Sequence, residues 1–276
     1  MDSDSPGRRG RLHGFSINRL IPNILTLAAL CSGLTAIRFA LQGEMRLAVI
    51  AIIVAAIFDA LDGRVARRLG VTSRFGAELD SLSDFLCFGV TPALVLYLAS
   101  LKDGGALGWV VTLMFPICSA LRLARFNTAL VSDTPPPAWT GSYFTGVPAP
   151  AGALLALIPL MVSFEIEAAW PRHALVVGAV LVIVGGLMVS RIPTYSFKKG
   201  RVPRHLVLPS LLGAALVMGV LASAPWIAGS LIGLVYVSLI PFSWIAYRRQ
   251  AAQDRQAATS GEVVPLRSVD SGPPPA

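Results

Sequence analysis

One stretch of the chain decides its fold and its chemistry: residues 57–84, IFDALDGRVARRLGVTSRFGAELDSLSD. It holds two pairs of aspartates, at 59 and 62 and at 80 and 84, within strongly apolar sequence. Side chains three or four residues apart lie on one face of a helix, so each pair projects from one face of its own helix and the two pairs can oppose each other. An ionised carboxylate at membrane depth costs about 2.5 kcal/mol or more, so four together require neutralising cations.

Divalent metal is the cation that best fits these carboxylates. Oxygen ligands suit Mg²⁺ or Mn²⁺ rather than zinc or copper, and Arg67 alone adds a positive charge to the face of the first pair. A cation transport path or a structural ion-pair network is the alternative. The small residues Gly63, Ala66 and Gly76 favour metal and phosphate chemistry, because they leave room for a bulky ligand on the helix backbone. Close helix packing is the other explanation for such residues.

Composition places the chain among integral membrane proteins. Of its 276 residues 54% are hydrophobic and only 14% charged, and the mean hydropathy is +0.68, which excludes a soluble domain. Apolar runs long enough to cross a hydrocarbon core of about 30 Å occur at 20–40, 45–67, 78–100, 107–126, 147–164, 173–191, 206–223 and 226–247. The sequence therefore predicts an all-α fold, a polytopic membrane helix bundle of about eight transmembrane helices.

The distribution of Lys and Arg predicts the orientation of this bundle. On the side opposite the N-terminus only Arg46, Lys102 and Arg172 fall near span ends, and Arg38 lies inside the first helix. Because basic residues concentrate on the cytoplasmic side, both termini and the aspartate site are predicted to be cytoplasmic, in the cell inner membrane. The net charge of +8 then reflects topology and attraction to membrane lipids, and nucleic acid is not expected as a partner.

The domain organisation follows from polarity. Residues 1–14 and 250–276 are polar, rich in Gly, Pro, Ser and Arg, and lack apolar periodicity, so both are predicted to be disordered tails. Residues 15–249 are predicted to form a single membrane domain.

The aspartate motif also resembles a known family signature. It resembles the complete signature of the CDP-alcohol phosphatidyltransferase family at all eight fixed positions. The motif reads Asp59-x-x-Asp62-Gly63-x-x-Ala66-Arg67, then a spacer of eight residues, then Gly76-x-x-x-Asp80-x-x-x-Asp84. The resemblance implies a six-helix catalytic core, a homodimer and two bound Mg²⁺ or Mn²⁺ ions. It implies a reaction in which an alcohol attacks the lipid-bearing β-phosphate of a CDP-linked lipid and CMP leaves.

The same resemblance implies a role for each position. Asp59, Asp62 and Asp80 are expected to be metal ligands, and Asp84 both a metal ligand and the general base. The expected CDP contacts are Gly63, Ala66, Arg67, Gly76 and, near the start of the first helix, Asn23. Thr26 on the same helix is a weaker candidate for a polar contact there. Helix N-capping is the alternative explanation for Asn23.

Three further stretches bear on the acceptor alcohol. Residues 122–127, 146–152 and 190–198 resemble the membrane-embedded phosphatidylserine synthases of bacteria and archaea. This implies CDP-diacylglycerol and L-serine as substrates, although the family signature leaves glycerol 3-phosphate and inositol phosphate open as acceptors.

The first of these stretches supplies candidate serine contacts. Arg122 and Arg125, three apart on one helix, present guanidinium groups suited to a carboxylate, and Asn127 can accept from the ammonium group. Arg191 and Lys198 are candidates for binding phosphate or lipid. Positive-inside anchoring at the ends of spans is the alternative explanation for all four basic residues.

Overall fold

The structure is a computed structural model that describes residues 20–71, 73–131, 143–166, 168–190, 192–195 and 207–259. The predicted tail at 1–14, residues 260–276, and the predicted phosphate or lipid contacts Arg191 and Lys198 lie outside the described residues.

Helices make up nearly all of this part of the chain. In order they are α1 (Leu20–Leu41), α2 (Met45–Leu69), α3 (Arg74–Asp84), α4 (Thr91–Leu96), α5 (Gly105–Val131), α6 (Ala149–Ala156), α7 (Ile158–Val162), α8 (Ala174–Val189), α9 (Val207–Ser223) and α10 (Pro225–Thr259). A wide π-helical turn, Phe85–Val90, joins α3 to α4, and a second one, Tyr97–Leu101, follows α4. Every predicted apolar run coincides with one or more of these helices, which confirms the all-α membrane fold.

Three helical stretches of the described residues are long and apolar enough to cross a membrane. They are Leu20–Leu41, Arg74–Thr128 and Pro225–Ile245, whereas Ala174–Val189 is apolar but shorter. Arg74–Thr128 is a hairpin, because Gly105 has a φ of 59° and α5 returns alongside α4 and the π turns. The number of eight spanning helices stays a prediction.

Small side chains let the first helices of the bundle approach closely. The buried face of α1 includes Ala29, Gly33 and Ala36, and it packs against the buried face of α2. A Cβ on Gly33 would lie 2.6 Å from Sγ of Cys87 in the first π turn, so α1 also touches the helix that carries Asp84. This packing brings α1, α2 and α3 together around the aspartates.

One short sheet departs from the all-helical pattern. β1 (Tyr143–Thr145) and β2 (Pro193–Tyr195) pair antiparallel with Phe144 opposite Thr194. Gly146 follows β1 with a φ of 78°, and a Cβ there would lie 2.7 Å from the carbonyl oxygen of Met188. The pairing joins the segment before α6 to the segment after α8, so two of the stretches quoted for the serine acceptor are neighbours.

The division into a membrane domain and two tails stays a prediction. The structure adds one observation at its C-terminal boundary, because α10 continues to Thr259, past the start of the predicted tail at residue 250. Ala, Gln and Arg dominate residues 249–258, and these are good helix formers even without an apolar face.

Candidate active site

The carboxylates of Asp59 and Asp62 on α2 and Asp80 on α3 form one cluster. Each offers an oxygen atom, and these atoms all lie within 4.8 Å of one another. Asp62 is 4% exposed, and Asp59 and Asp80 are half-buried. Three negative charges this close repel one another unless a cation lies between them, and an all-oxygen donor set fits a hard divalent cation.

The turn between α2 and α3 fixes the relative position of the two helices. Gly70 ends α2 in the left-handed conformation, and its N–H donates to the carbonyl of Ala66. Ser73 caps α3, where its hydroxyl oxygen accepts from the N–H of Gly76 at 3.0 Å. Local groups thus form hydrogen bonds with the backbone at the end of α2 and at the start of α3. The connection between the two helices can therefore be short, which places Asp80 opposite Asp62.

Thr26 on α1 supports the cluster from the side. Its hydroxyl lies 2.7 Å from Oδ2 of Asp62 and 3.1 Å from the carbonyl oxygen of Pro22, and Thr26 is 4% exposed. The sequence suggested Asn23 and, more weakly, Thr26 as polar contacts of the CDP site, but it gave no reason to expect a contact between Thr26 and Asp62. The available signal was spacing, since Thr26 lies one turn after Asn23.

Asp84 lies beside the cluster rather than in it. Its carboxyl group is in hydrogen-bond contact with that of Asp59, which requires a proton or cation between the two groups. Asp84 also interacts electrostatically with Arg122 of α5. Asp84 therefore lies near both the carboxylate cluster and a half-buried arginine, and its part in binding metal stays a prediction.

An open cleft of about 190 Å³ adjoins the cluster. Its walls come from α1, α2 and α3 and include Asp62 and Asp80. All five residues predicted to contact CDP line it: Asn23, Gly63, Ala66, Arg67 and Gly76. Val71, Ser73 and Ala77 line it as well and were not predicted.

The two glycines keep this cleft open. A Cβ on Gly63 would meet first the guanidinium of Arg67, at 3.3 Å, and no neighbouring helix approaches as closely. A Cβ on Gly76 would lie 3.0 Å from Oδ1 of Asn23. The space at Gly63 favours ligand access as the reason for that glycine, whereas the contact with α1 at Gly76 is also what close helix packing requires. Because α1 begins at Leu20, Asn23 lies inside the first turn and is not the N-cap residue.

The three predicted serine contacts differ in their surroundings. The Arg125 guanidinium donates to the carbonyl oxygens of Val189 at 2.7 Å and Ser190 at 3.1 Å, so it binds the C-terminal end of α8. The amide nitrogen of Asn127 donates to the Ser81 hydroxyl at 3.1 Å. Arg122 is half-buried and interacts with Asp84, and its buried Nε finds no hydrogen-bond acceptor among the described residues. Of the three, Arg122 is the one placed toward the carboxylates.

Comparison with known proteins agrees with this geometry. The sequence profile of the CDP-alcohol phosphatidyltransferase family matches residues 19–188. The chain is 39% identical over 242 residues to a CDP-diacylglycerol–serine O-phosphatidyltransferase of Mycobacterium leprae, covering 86% of this chain and 80% of that one. It is 34% identical over 180 residues to the protein of the same name from Helicobacter pylori, covering 65% and 73%. An archaetidylserine synthase of Methanothermobacter thermautotrophicus is 32% identical over 176 residues, covering 62% and 68%.

With that profile covering the four aspartates, the cleft and the helices that carry them, this integral membrane protein belongs to the CDP-alcohol phosphatidyltransferase family.

Proposed function

We propose that this protein is a CDP-diacylglycerol–serine O-phosphatidyltransferase, which transfers the phosphatidyl group of CDP-diacylglycerol to the hydroxyl of L-serine and releases CMP. One observation carries the proposal: a carboxylate cluster opens into a cleft lined by all five expected CDP contacts. The relatives named for serine transfer support the choice of acceptor.

Asp59, Asp62 and Asp80 would hold Mg²⁺ or Mn²⁺, and we expect two ions in all, with Asp84 as a candidate fourth ligand. The fit rests on the oxygen atoms of the first three, which lie within 4.8 Å of one another, and on the preference of these cations for carboxylates shared with substrate phosphates. Such ions neutralise the charge of a diphosphate and polarise its phosphoryl oxygens when they are bound.

The cleft would bind the CDP group. Gly63, Ala66 and Gly76 leave its floor without bulk, so a nucleotide can lie on the backbones of α2 and α3. Arg67 is exposed at its rim and supplies a cation for phosphate, and the side-chain amide of Asn23 supplies hydrogen bonds to the nucleotide.

Asp84 would act as the general base. It takes the proton of the serine hydroxyl as the serine oxygen forms a bond to the β-phosphorus, and the bond from that phosphorus to the oxygen of CMP breaks. Its position next to the cluster but outside the cleft suits a group that meets the acceptor rather than the nucleotide. The positive charge of Arg122, which lies on α5, interacts with the negative charge of Asp84.

Arg122 is the best-placed partner for the serine carboxylate. A buried N–H without an acceptor costs about 1 to 3 kcal/mol, and more when the group is charged, so the Nε of Arg122 favours a ligand that brings an acceptor. The Oδ1 atom of Asn127 stays a candidate acceptor for the serine ammonium, because its contact with the Ser81 hydroxyl is long, at 3.5 Å, and the amide nitrogen donates to that hydroxyl at 3.1 Å. Arg125 is the weaker candidate, since two of its donors are engaged by α8.

The setting of the reaction completes the proposal. The charge distribution along the sequence supports an inner-membrane protein with both termini and the active site in the cytoplasm. The family resemblance supports a homodimer.

A direct assay tests the function. Purified protein in mixed micelles with CDP-diacylglycerol and Mg²⁺ is given L-serine, glycerol 3-phosphate or inositol phosphate in turn, and CMP and lipid product are measured. We expect CMP and phosphatidylserine in equal amounts with serine. Product formed with another alcohol and not with serine would refute the acceptor assignment, and no CMP with any alcohol would refute the enzyme class.

A further inference from the structure

A row of three side-chain donors joins the helical segment that carries Asp84 to the backbone of α1. The donors, each with the residue whose carbonyl oxygen accepts, are Ser83 with Thr26 at 3.4 Å, Cys87 with Ala29 at 3.3 Å, and Thr91 with Gly33 at 3.4 Å. All three donor residues are buried. Because the residue numbers rise together on both segments, this donor row runs along α1 from its cytoplasmic half inward.

The first π turn keeps the donor row directed toward α1. Positions four apart advance by about 40° around an α-helix, so Ser83 and Thr91 would differ by about 80° if the helix were a continuous α-helix. The π turn Phe85–Val90 lies between them, and its hydrogen bonds span five residues instead of four, which makes the turn wider. Positions four apart therefore drift less, and all three donors can reach α1.

Ser83 is the member of the donor row that is closest in sequence to the carboxylates. It precedes Asp84 and lies three residues after Asp80 on α3. Its partner Thr26 donates through its own hydroxyl to Oδ2 of Asp62 on α2, at 2.7 Å. Thr26 thus contacts both helices that carry the carboxylates, with its carbonyl oxygen toward α3 and its hydroxyl toward α2.

This three-helix contact bears on metal binding because the carboxylate cluster is assembled from two helices. Asp59 and Asp62 belong to α2 and Asp80 to α3, and their oxygen atoms lie within 4.8 Å of one another. Carboxylates that close repel one another when no cation is bound, which favours separation of the two helices. Groups behind the ligands that keep them in place therefore raise the affinity for metal.

We propose that Ser83 is a positioning residue of the metal site, which holds α3 against Thr26 and so keeps Asp80 and Asp84 at a fixed distance from Asp62. The inference rests on the proposed function, because it assigns Ser83 to the metal ions of that enzyme. Ser83 occupies one of the three positions between Asp80 and Asp84 that the family signature leaves open.

The test uses Ser83→Ala in the full-length protein, with Thr91→Val as the matched control. Each change removes one buried hydroxyl of the donor row and one contact of 3.4 Å with α1, but Thr91 lies eight residues farther from the cluster. Mn²⁺ binding is measured by electron paramagnetic resonance in detergent micelles without substrates, so the readout does not depend on turnover. We expect Ser83→Ala to raise the Kd for Mn²⁺ roughly 3- to 10-fold, as for loss of a hydrogen bond between uncharged groups. Thr91→Val should leave this Kd unchanged.

A purely structural role for the donor row predicts that both variants lose thermal stability alike and that neither loses affinity for Mn²⁺. An unchanged Kd in Ser83→Ala, or an equal rise in Thr91→Val, would therefore overturn the inference.

A double-mutant cycle with Thr26→Val tests whether Ser83 acts through Thr26. If it does, the double variant raises the Kd for Mn²⁺ by much less than the product of the two single effects, whereas multiplicative effects would overturn the inference. Failure of the proposed function is distinguishable, because it would appear in the wild-type protein as absence of CMP release with serine, while the variants are compared by Mn²⁺ binding.

Discussion

The contact between Thr26 and Asp62 gives the sharpest prediction for the carboxylate cluster. We expect Thr26→Val to weaken activation by Mg²⁺, because the hydroxyl that orients Asp62 at 2.7 Å is lost. Valine has nearly the shape of threonine, so the buried site keeps its packing and loses one hydrogen bond to a charged group, worth about 1.5 to 3 kcal/mol. At about 1.4 kcal/mol for each factor of ten, the loss is roughly 10- to 100-fold. Groups that orient metal ligands typically have effects of about that size.

The measurement is the rate of CMP release as a function of free Mg²⁺, at saturating CDP-diacylglycerol and serine. The Mg²⁺ concentration for half-maximal activity should rise roughly 10- to 100-fold. The rate at saturating Mg²⁺ should fall by a smaller factor than that. Thr35→Val is the matched control on the same helix, since the Thr35 hydroxyl donates to the carbonyl of Cys31 one turn earlier. An unchanged Mg²⁺ requirement in Thr26→Val, or an equal change in the control, would refute the role assigned to Thr26.

Three more substitutions test other parts of the site. Asp84→Asn should abolish turnover while CDP-diacylglycerol still binds, because the amide cannot accept the proton; loss of nucleotide binding, measured by equilibrium titration, would make Asp84 chiefly a metal ligand. Gly63→Leu should block CDP-diacylglycerol binding in a protein that purifies folded, because leucine suits a helix but fills the cleft; unchanged affinity would return Gly63 to a packing role. Arg125→Lys should lower the unfolding temperature and leave the KM for serine unchanged, because it breaks the paired contacts to the end of α8; a selective rise in that KM would restore Arg125 as a serine contact.

The sequence was sufficient for the parts of the molecule that depend on local spacing. Hydropathy placed the helices, and the positions of the aspartates along two helices placed Asp59, Asp62 and Asp80 on facing surfaces. The sequence was not sufficient to predict contacts between a long side chain and residues that are distant in the chain. Nothing near Arg125 in sequence indicates that its guanidinium binds the carbonyls of Val189 and Ser190 more than sixty residues away.

The ends of helices were predicted with mixed success. The predicted start of the first run at residue 20 agrees with the start of α1 at Leu20, so Asn23, a possible cap by residue type, lies inside the helix. The extension of α10 to Thr259 was missed because polar sequence without periodicity was interpreted as disorder. Intrinsic helix propensity was the signal that distinguished the two.

The position of Asp84, next to the cluster and near Arg122, bears on the stereochemistry of the reaction. The cleft for the nucleotide opens on the side of Asp62 and Asp80, while Arg122 approaches Asp84 from α5. We expect donor and acceptor to be bound together, with the entering oxygen and the departing CMP on opposite sides of one phosphorus atom, as an in-line displacement requires. A single displacement of this kind inverts the configuration at phosphorus, so a CDP-lipid made chiral by sulfur and oxygen isotopes at its β-phosphate would yield a phosphatidyl product of the opposite hand.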